Sequence, residues 1–146
     1  EFGGRQSRQA RGASVLLGGN LEGCLFEPTI LAGTTPAMRV NREELFAPAI
    51  SVIPYDDFFE ALRIANDSEF GLQTGIFTQN INRAMRAFAT MDVGGVIIND
   101  IPTFRVDQMP YGGAKASGLG REGPRYAIEE MTEQRLMVIN RDGGMG

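Results

Sequence analysis

Apolar residues fall in short clusters separated by glycine, proline and charge, and the spacing within each cluster predicts its element. Asp56–Asn66 (DDFFEALRIAN) sets Phe58, Leu62 and Ile64–Ala65 near helical spacing, with acids in the first turn. That is the pattern of an amphipathic helix with its carboxylates at the favourable dipole end. Asn80–Thr90 (NINRAMRAFAT) predicts a second helix, with Asn80 as its N-cap. Pro124–Thr132 predicts a third, with proline at the first helical position. Residues 5–12 (RQSRQARG) read as the end of a solvated helix capped by Gly12.

Strands are predicted at Val15–Leu17, Phe26–Leu31, Ala49–Pro54 and Gln73–Thr78, with a buried strand at Gly94–Asn99 and a last one at Gln134–Asn140 (QRLMVIN). Pro28 cannot donate to a ladder, so it implies an edge or a bulge. Strands alternate with helices in the middle of the chain, which predicts an α/β fold with a mainly parallel sheet and flanking helices. The irregular ends and the shortage of crossover helices argue against a self-contained doubly wound domain. No internal repeat or low-complexity linker interrupts the chain.

Composition narrows the function. The chain has 146 residues, 42% hydrophobic and 22% charged, which suits one globular domain. Its net charge of −4, without a basic block, argues against nucleic acid and anionic membranes as partners. No apolar run approaches the roughly 18 residues that span a bilayer, and no signal peptide is expected. Cys24 is the single cysteine, so no intrachain disulfide framework exists and a reducing cytoplasm is the expected compartment. The chain contains no histidine, which excludes a His-ligated metal and a Ser-His or Cys-His pair within it. No metal ligand is assigned here.

The 19 glycines cluster before Cys24, at Gly94-Gly95, at residues 112–123 and at the tail, where they predict tight turns and close backbone approach. Gly118-Leu119-Gly120-Arg121-Glu122-Gly123 fits G-x-G-x-x-G, but a loop (YGGAKAS) rather than a strand precedes it. A glycine loop entering a helix is the better reading than a dinucleotide site. Lys115 lacks the spacing of a P-loop lysine. Cys24, in NLEGCLFEP, has no helix terminus to activate it and is expected to be a small half-buried hydrophobe. Asn66-Asp67-Ser68 is read as a chance glycosylation sequon.

The stretch NREELFAPAI (41–50) places Glu43 and Glu44 immediately before apolar residues. Both cannot be deep and charged without partners. One is expected at the surface, near Arg39 and Arg42. The other, two residues before an aromatic on the same side of an extended chain, could face a ligand. Glu44 and Phe46 would suit a nucleotide's ribose and ring; a cap or a salt bridge is the alternative.

Several runs, taken together and in order, resemble the C-terminal part of the aldehyde dehydrogenase superfamily. They are FEPTIL (26–31), EELFAP (43–48), AND (65–67), FGLQTGIFT (70–78), GGVIIND (94–100), PYGG (110–113), K-A-SGLGREG (115–123) and AIEEMTE (127–133). They cover nearly all of residues 12–140. The resemblance implies the C-terminal part of a catalytic domain over residues 1–133, then a terminal oligomerisation strand and flexible tail over residues 134–146. It implies an NAD(P)-dependent parent, a homo-oligomer that oxidises an aldehyde to a carboxylic acid through a cysteine thioester. NAD and NADP are not distinguished.

The resemblance also assigns roles. Glu44 would bond the nicotinamide ribose hydroxyls, and Phe46 would pack against that ribose and ring. Phe104 falls close to the aromatic lining of the substrate tunnel. Arg105 departs from most of the family; its guanidinium would bind a carboxylate or phosphate at the far end of a small aldehyde. A salt bridge to Asp107 or Asp100 is the competing role. The family's nucleophilic cysteine, oxyanion-hole asparagine and general-base glutamate are expected upstream of Glu1. Cys24 is outside the nucleophile's motif, so the fragment alone is expected to be inactive. The contrasting expectation is a stand-alone, non-enzymatic binding or interaction module that reuses the fold.

Overall fold

The computed structural model describes residues 12–141. The helix end expected over residues 5–12 lies outside them apart from Gly12, and so do the tail glycines 143–146.

The first sheet joins β1 (Ser14–Leu17), β4 (Thr29–Ala32) and β5 (Ala49–Val52). β1 runs antiparallel to β4, and β4 runs parallel to β5. Between β1 and β4, β2 (Leu21–Glu22) and β3 (Leu25–Phe26) form a small hairpin. The single strand expected over Phe26–Leu31 is thus divided. Pro28 has no N–H to give a ladder, and the parallel ladder begins beyond it, with Thr29 N–H donating to the Pro48 carbonyl at 2.8 Å. Side chains then alternate along β4, with Thr29 and Leu31 buried.

The single turn α1 (Arg39–Arg42) precedes β5. α2 (Phe58–Asn66) starts at Asp57, whose Oδ1 accepts from the N–H groups of Phe59 (2.7 Å) and Glu60 (3.0 Å). α3 (Ile81–Thr90) is capped by Asn80, as its sequence predicts: Oδ1 accepts from Asn82 (2.9 Å) and Arg83 (3.2 Å). α3 links β7 (Gln73–Ile76) to β8 (Gly95–Ile98), and the two strands pair in parallel. The core lies where these elements meet. Leu62, Ala87 and Met91 are buried, with Phe58, Ile76, Val93 and Val96 packed against them. Truncating Leu62, only 3% exposed, to alanine would cost about 2–5 kcal/mol.

β6 (Phe70–Gly71) pairs antiparallel with β9 (Ala114–Lys115), and α4 (Pro124–Met131) opens with Pro124 in its first turn. The fold is α/β, but the described residues form four small sheets rather than one mainly parallel sheet. Parallel neighbours need a crossover connection, and only β4–β5 and β7–β8 have one here. β8 was expected to be buried; it is half-buried, because a two-stranded sheet leaves part of its surface uncovered.

Gln134–Asn140 makes no ladder with any described strand. Leu136, Met137, Val138 and Ile139 are each more than 70% exposed. A strand needs a neighbour for its N–H and C=O groups, and none of the described strands lends an edge to this segment.

Candidate functional site

Glu43 and Glu44 part company at the end of α1. Glu43 caps the turn, with its N–H donating to the Arg39 carbonyl at 2.8 Å. Its carboxylate takes both arms of the Arg39 guanidinium, Nε at 2.9 Å and NH2 at 2.8 Å. That hydrogen-bonded guanidinium holds the Glu43 carboxyl below its ordinary value. Glu44 has no hydrogen bond or ion pair among the described residues. It is exposed at the edge of a cleft of about 470 Å³ that Phe70, Gln73, Thr74, Val93 and Ser117 also line.

Beyond Glu44 the chain alternates. Leu45 and Ala47 are half-buried, whereas Glu44, Phe46 and Pro48 face out. Glu44 and Phe46 thus share the outward side. The Phe46 side chain is 93% exposed. Leaving such a ring in water forgoes about 1.5–3 kcal/mol of burial. A free carboxylate beside an uncovered ring fits a ligand that offers a diol and a flat face.

Residues 99–113 carry the second group. Phe104 is 48% exposed. Arg105 does form a salt bridge, but neither to Asp107 nor to Asp100. Its NH2 lies 2.7 Å from Oε2 of Glu122, and its guanidinium sits over the Tyr111 ring, 4.5 Å from the centroid. The backbone explains that choice. Tyr111 and Glu122 form an antiparallel bridge with reciprocal N–H···O bonds of 3.2 and 2.6 Å, which carries the Glu122 side chain beneath Arg105. Asp100 is turned elsewhere, with Oδ1 accepting from the Ile101 N–H at 2.8 Å. Sequence reasoning missed Tyr111 and Glu122; the only signal was their place in the PYGG and GREG runs.

Gln73 was also missed. Its Nε2 donates to the carbonyls of Pro102 and Phe104, so it touches both the Glu44 cleft and the segment before Arg105. Close backbone contact holds the far end of that segment. A Cβ on Gly94 would collide with the Gly112 carbonyl, so no other residue fits there without displacing the chain.

The remaining candidates have ordinary roles. The 118–123 glycines turn with positive φ at Gly118, Gly120 and Gly123 and lead into α4, the glycine loop expected from the sequence. Cys24 is exposed rather than half-buried: it occupies the turn between β2 and β3, whose two-residue strands leave the turn uncovered. The Asn66 side chain is committed to the Thr90 carbonyl (2.8 Å) and the Asp92 N–H (2.9 Å). Lys115 Nζ donates to the carbonyls of Asn66 (2.9 Å) and Ser68 (3.1 Å) and lies 3.8 Å from the Asp92 carboxylate.

Residues 5–137 match the model described as the Aldehyde dehydrogenase family. The chain belongs to the aldehyde dehydrogenase family. It is 50% identical over 129 residues to 3-sulfolactaldehyde dehydrogenase of Priestia aryabhattai, a match covering 88% of this chain and 27% of that protein. Among solved structures it superposes on aldehyde dehydrogenase 21 of Physcomitrella patens in complex with the reaction product succinate. That match has a TM-score of 0.89 and 43% identity, and covers 94% of this chain and 29% of the other. It also superposes on a glyceraldehyde-3-phosphate dehydrogenase of Methanocaldococcus jannaschii complexed with NADP. There the TM-score is 0.79 at 43% identity, with 86% of this chain and 27% of the other covered. The chain thus spans little more than a quarter of the aldehyde dehydrogenases it matches. Glu44, Phe46 and the Arg105 group all lie inside the matched residues.

Proposed function

We propose that this chain is the C-terminal part of the catalytic domain of an NAD- or NADP-dependent aldehyde dehydrogenase, acting on a small aldehyde with an anionic group at its far end. The observation that carries this reading is the division of labour between neighbouring carboxylates. Glu43 is tied to Arg39, while Glu44 stands uncommitted beside the uncovered Phe46 in the EELFAP run.

The chain's own residues do two things in this reading. Glu44 accepts hydrogen bonds from the ribose hydroxyls of the nicotinamide half, and Phe46 packs its ring on that sugar and ring. The nicotinamide group, when bound, supplies the hydride acceptor. Phe104 lines the aldehyde's path. Arg105 presents the guanidinium N–H groups not used by Glu122 to a carboxylate, sulfonate or phosphate. Some relatives handle anion-bearing compounds (sulfolactaldehyde, the product succinate, glyceraldehyde 3-phosphate), whereas others act on the neutral lactaldehyde, so Arg105 is what supports the anionic end group in this reading.

The nucleophile and general base belong to sequence upstream of Glu1 in this reading. Cys24, exposed in a hairpin turn, takes no part. The parent is a cytoplasmic homo-oligomer in this reading, its oligomerisation sheet joined by Gln134–Asn140.

The experiment compares this chain with the full-length protein that contains it. NAD(P)-linked aldehyde oxidation is expected from the full-length protein and not from residues 1–146 alone. Cys24→Ser should leave full-length kcat within about twofold. Turnover by the short chain that disappears with Cys24→Ser would overturn the proposal.

A further inference from the structure

The aldehyde-side segment and the Glu44 cleft share one strand, β7. Gln73 opens that strand and lines the cleft. Its Nε2 reaches the carbonyls of Pro102 and Phe104, each at 3.3 Å. Those carbonyls belong to the turn 101–104, in which Phe104 N–H meets the Ile101 carbonyl at 3.5 Å. Two residues along, Gly75 faces the same turn: a Cβ there would lie 3.2 Å from Pro102 Cδ and 3.4 Å from Ile101 Cα. Residues 73 and 75 share one side of a strand. That side of β7 therefore seats the turn.

The neighbouring strand makes room for this arrangement. The ladder partner of Gln73 is Gly95. A Cβ on Gly95 would stand 2.9 Å from Gln73 Oε1 and 3.3 Å from its Cγ. Oε1 is buried and has no hydrogen-bond partner among the described residues. Burying an amide oxygen unpaired is unfavourable, so the bonds that locate this side chain are the two made by its Nε2.

We propose that Gln73 is a positioning residue: it latches the turn 101–104 onto β7 and thereby fixes where Phe104 and Arg105 stand relative to the Glu44 cleft. This inference rests on the reading of Phe104 and Arg105 as aldehyde-side residues. Gln73 acts through the turn and contacts no substrate in this role. Without it, Arg105 keeps Tyr111 and Glu122, but the turn leading into Arg105 loses its attachment to the strand that borders the cofactor side.

The test uses the intact protein that contains this segment, with Gln73→Leu and Gln73→Glu. The glutamate variant keeps the shape and removes both donors, so it decides the matter if the leucine variant fails to fold. Two readings are taken on each. Amide hydrogen exchange at residues 103–105 is expected to quicken about tenfold, as the loss of two neutral hydrogen bonds implies. KM for anion-bearing aldehydes is expected to rise about tenfold, with neutral aldehydes changed less than about twofold. Unchanged exchange in a folded Gln73→Glu protein overturns the latch. Faster exchange with an unchanged KM ratio, where Arg105→Leu does change that ratio, overturns its role in specificity. If Arg105→Leu shows no preference between anionic and neutral aldehydes, the substrate reading has failed instead. Exchange at residues 103–105 then judges the latch by itself.

Discussion

The guanidinium carbon of Arg105 sits over the ring of Tyr111, 4.5 Å from its centroid, while Glu122 holds one of its nitrogens at 2.7 Å. A cation held by a ring on one side and a carboxylate at one corner cannot swing freely. Its remaining N–H groups are therefore set in advance for an anionic oxygen pair. Arg105→Leu should raise KM for aldehydes with a distal carboxylate, sulfonate or phosphate about ten- to hundredfold, the equivalent of a charge-assisted bond of about 1.5–3 kcal/mol. Tyr111→Phe keeps the ring and should behave as wild type. Tyr111→Leu should lose about two- to fivefold for anionic aldehydes only, as a cation–π contact of roughly 0.5–1 kcal/mol implies. Steady-state kinetics on matched anionic and neutral aldehydes checks all three. Equal effects on both substrate classes would remove Arg105 from anion recognition.

Glu44→Gln in the full-length protein should slow the hydride step or the cofactor movement that follows it, by about five- to thirtyfold. That is the rate equivalent of weakening the ribose bond by roughly 1–2 kcal/mol. Tm should hold, because Glu44 has no partner among the described residues to lose. Single-turnover kinetics alongside thermal melting decides between roles. Normal kinetics with a large fall in Tm would mean that Glu44 is a structural anchor.

The Arg39–Glu43 pair gives a pH signature. The guanidinium depresses the folded-state pKa of Glu43 below its ordinary value of 4.5. Its contribution to stability is therefore complete above that ordinary value and is lost as pH falls through the lower, folded value. Glu43→Gln should accordingly differ from wild type at pH 7 and converge with it in strong acid. Denaturant melts at a series of pH values would show this convergence. A difference that persists at the acid end would assign Glu43 a role beyond its charge.

Residues 1–146 by themselves should self-associate. Leu136, Met137, Val138 and Ile139 are exposed and pair with no described strand. Unpaired apolar segments recruit other strand edges. Light scattering during size exclusion should show mass rising with concentration, and Val138→Lys should reduce it. A monodisperse monomer at high concentration, with protected amides in residues 134–140, would show that the segment closes on its own chain.

What the sequence made legible was local or carried by ordered motifs. Asn80 caps α3 through atoms two and three residues away, so its neighbourhood is contained in the string NINR. Pro28 implied an edge or a bulge within one strand, whereas it separates two strands, and β4 beyond it is the central strand of its sheet. Glu44 could be singled out by its two-residue spacing to Phe46, but the partner of Glu43 could only be offered as Arg39 or Arg42, because it depends on the helical turn that brings Arg39 back alongside Glu43. Arg105 was misassigned its partner for the same reason at longer range: Glu122 is 17 residues away and arrives through a backbone bridge. The number of sheets was illegible because pairing is a property of distant strands. Cys24 was judged by its residue type, whereas its exposure follows from the small hairpin around it.

The backbone contact between Gly94 and Gly112 has a consequence for how such a protein can change. The chain leaves β8 after Ile98 and is returned to the foot of the same strand at Gly112, by a contact that leaves no space for a Cβ. Both ends of the intervening segment are thereby moored, and the segment behaves as an exchangeable cartridge. Doubling the length of a flexible loop costs only about 0.6 kcal/mol in closure entropy, so insertions between the moorings are cheap compared with changes to the strands. On the function proposed above, rewriting residues 101–109 would change the aldehyde preference while Gln73, Tyr111 and Glu122 kept the segment seated. The Glu44 edge of the cleft, built from a different stretch of chain, would be left as it is throughout.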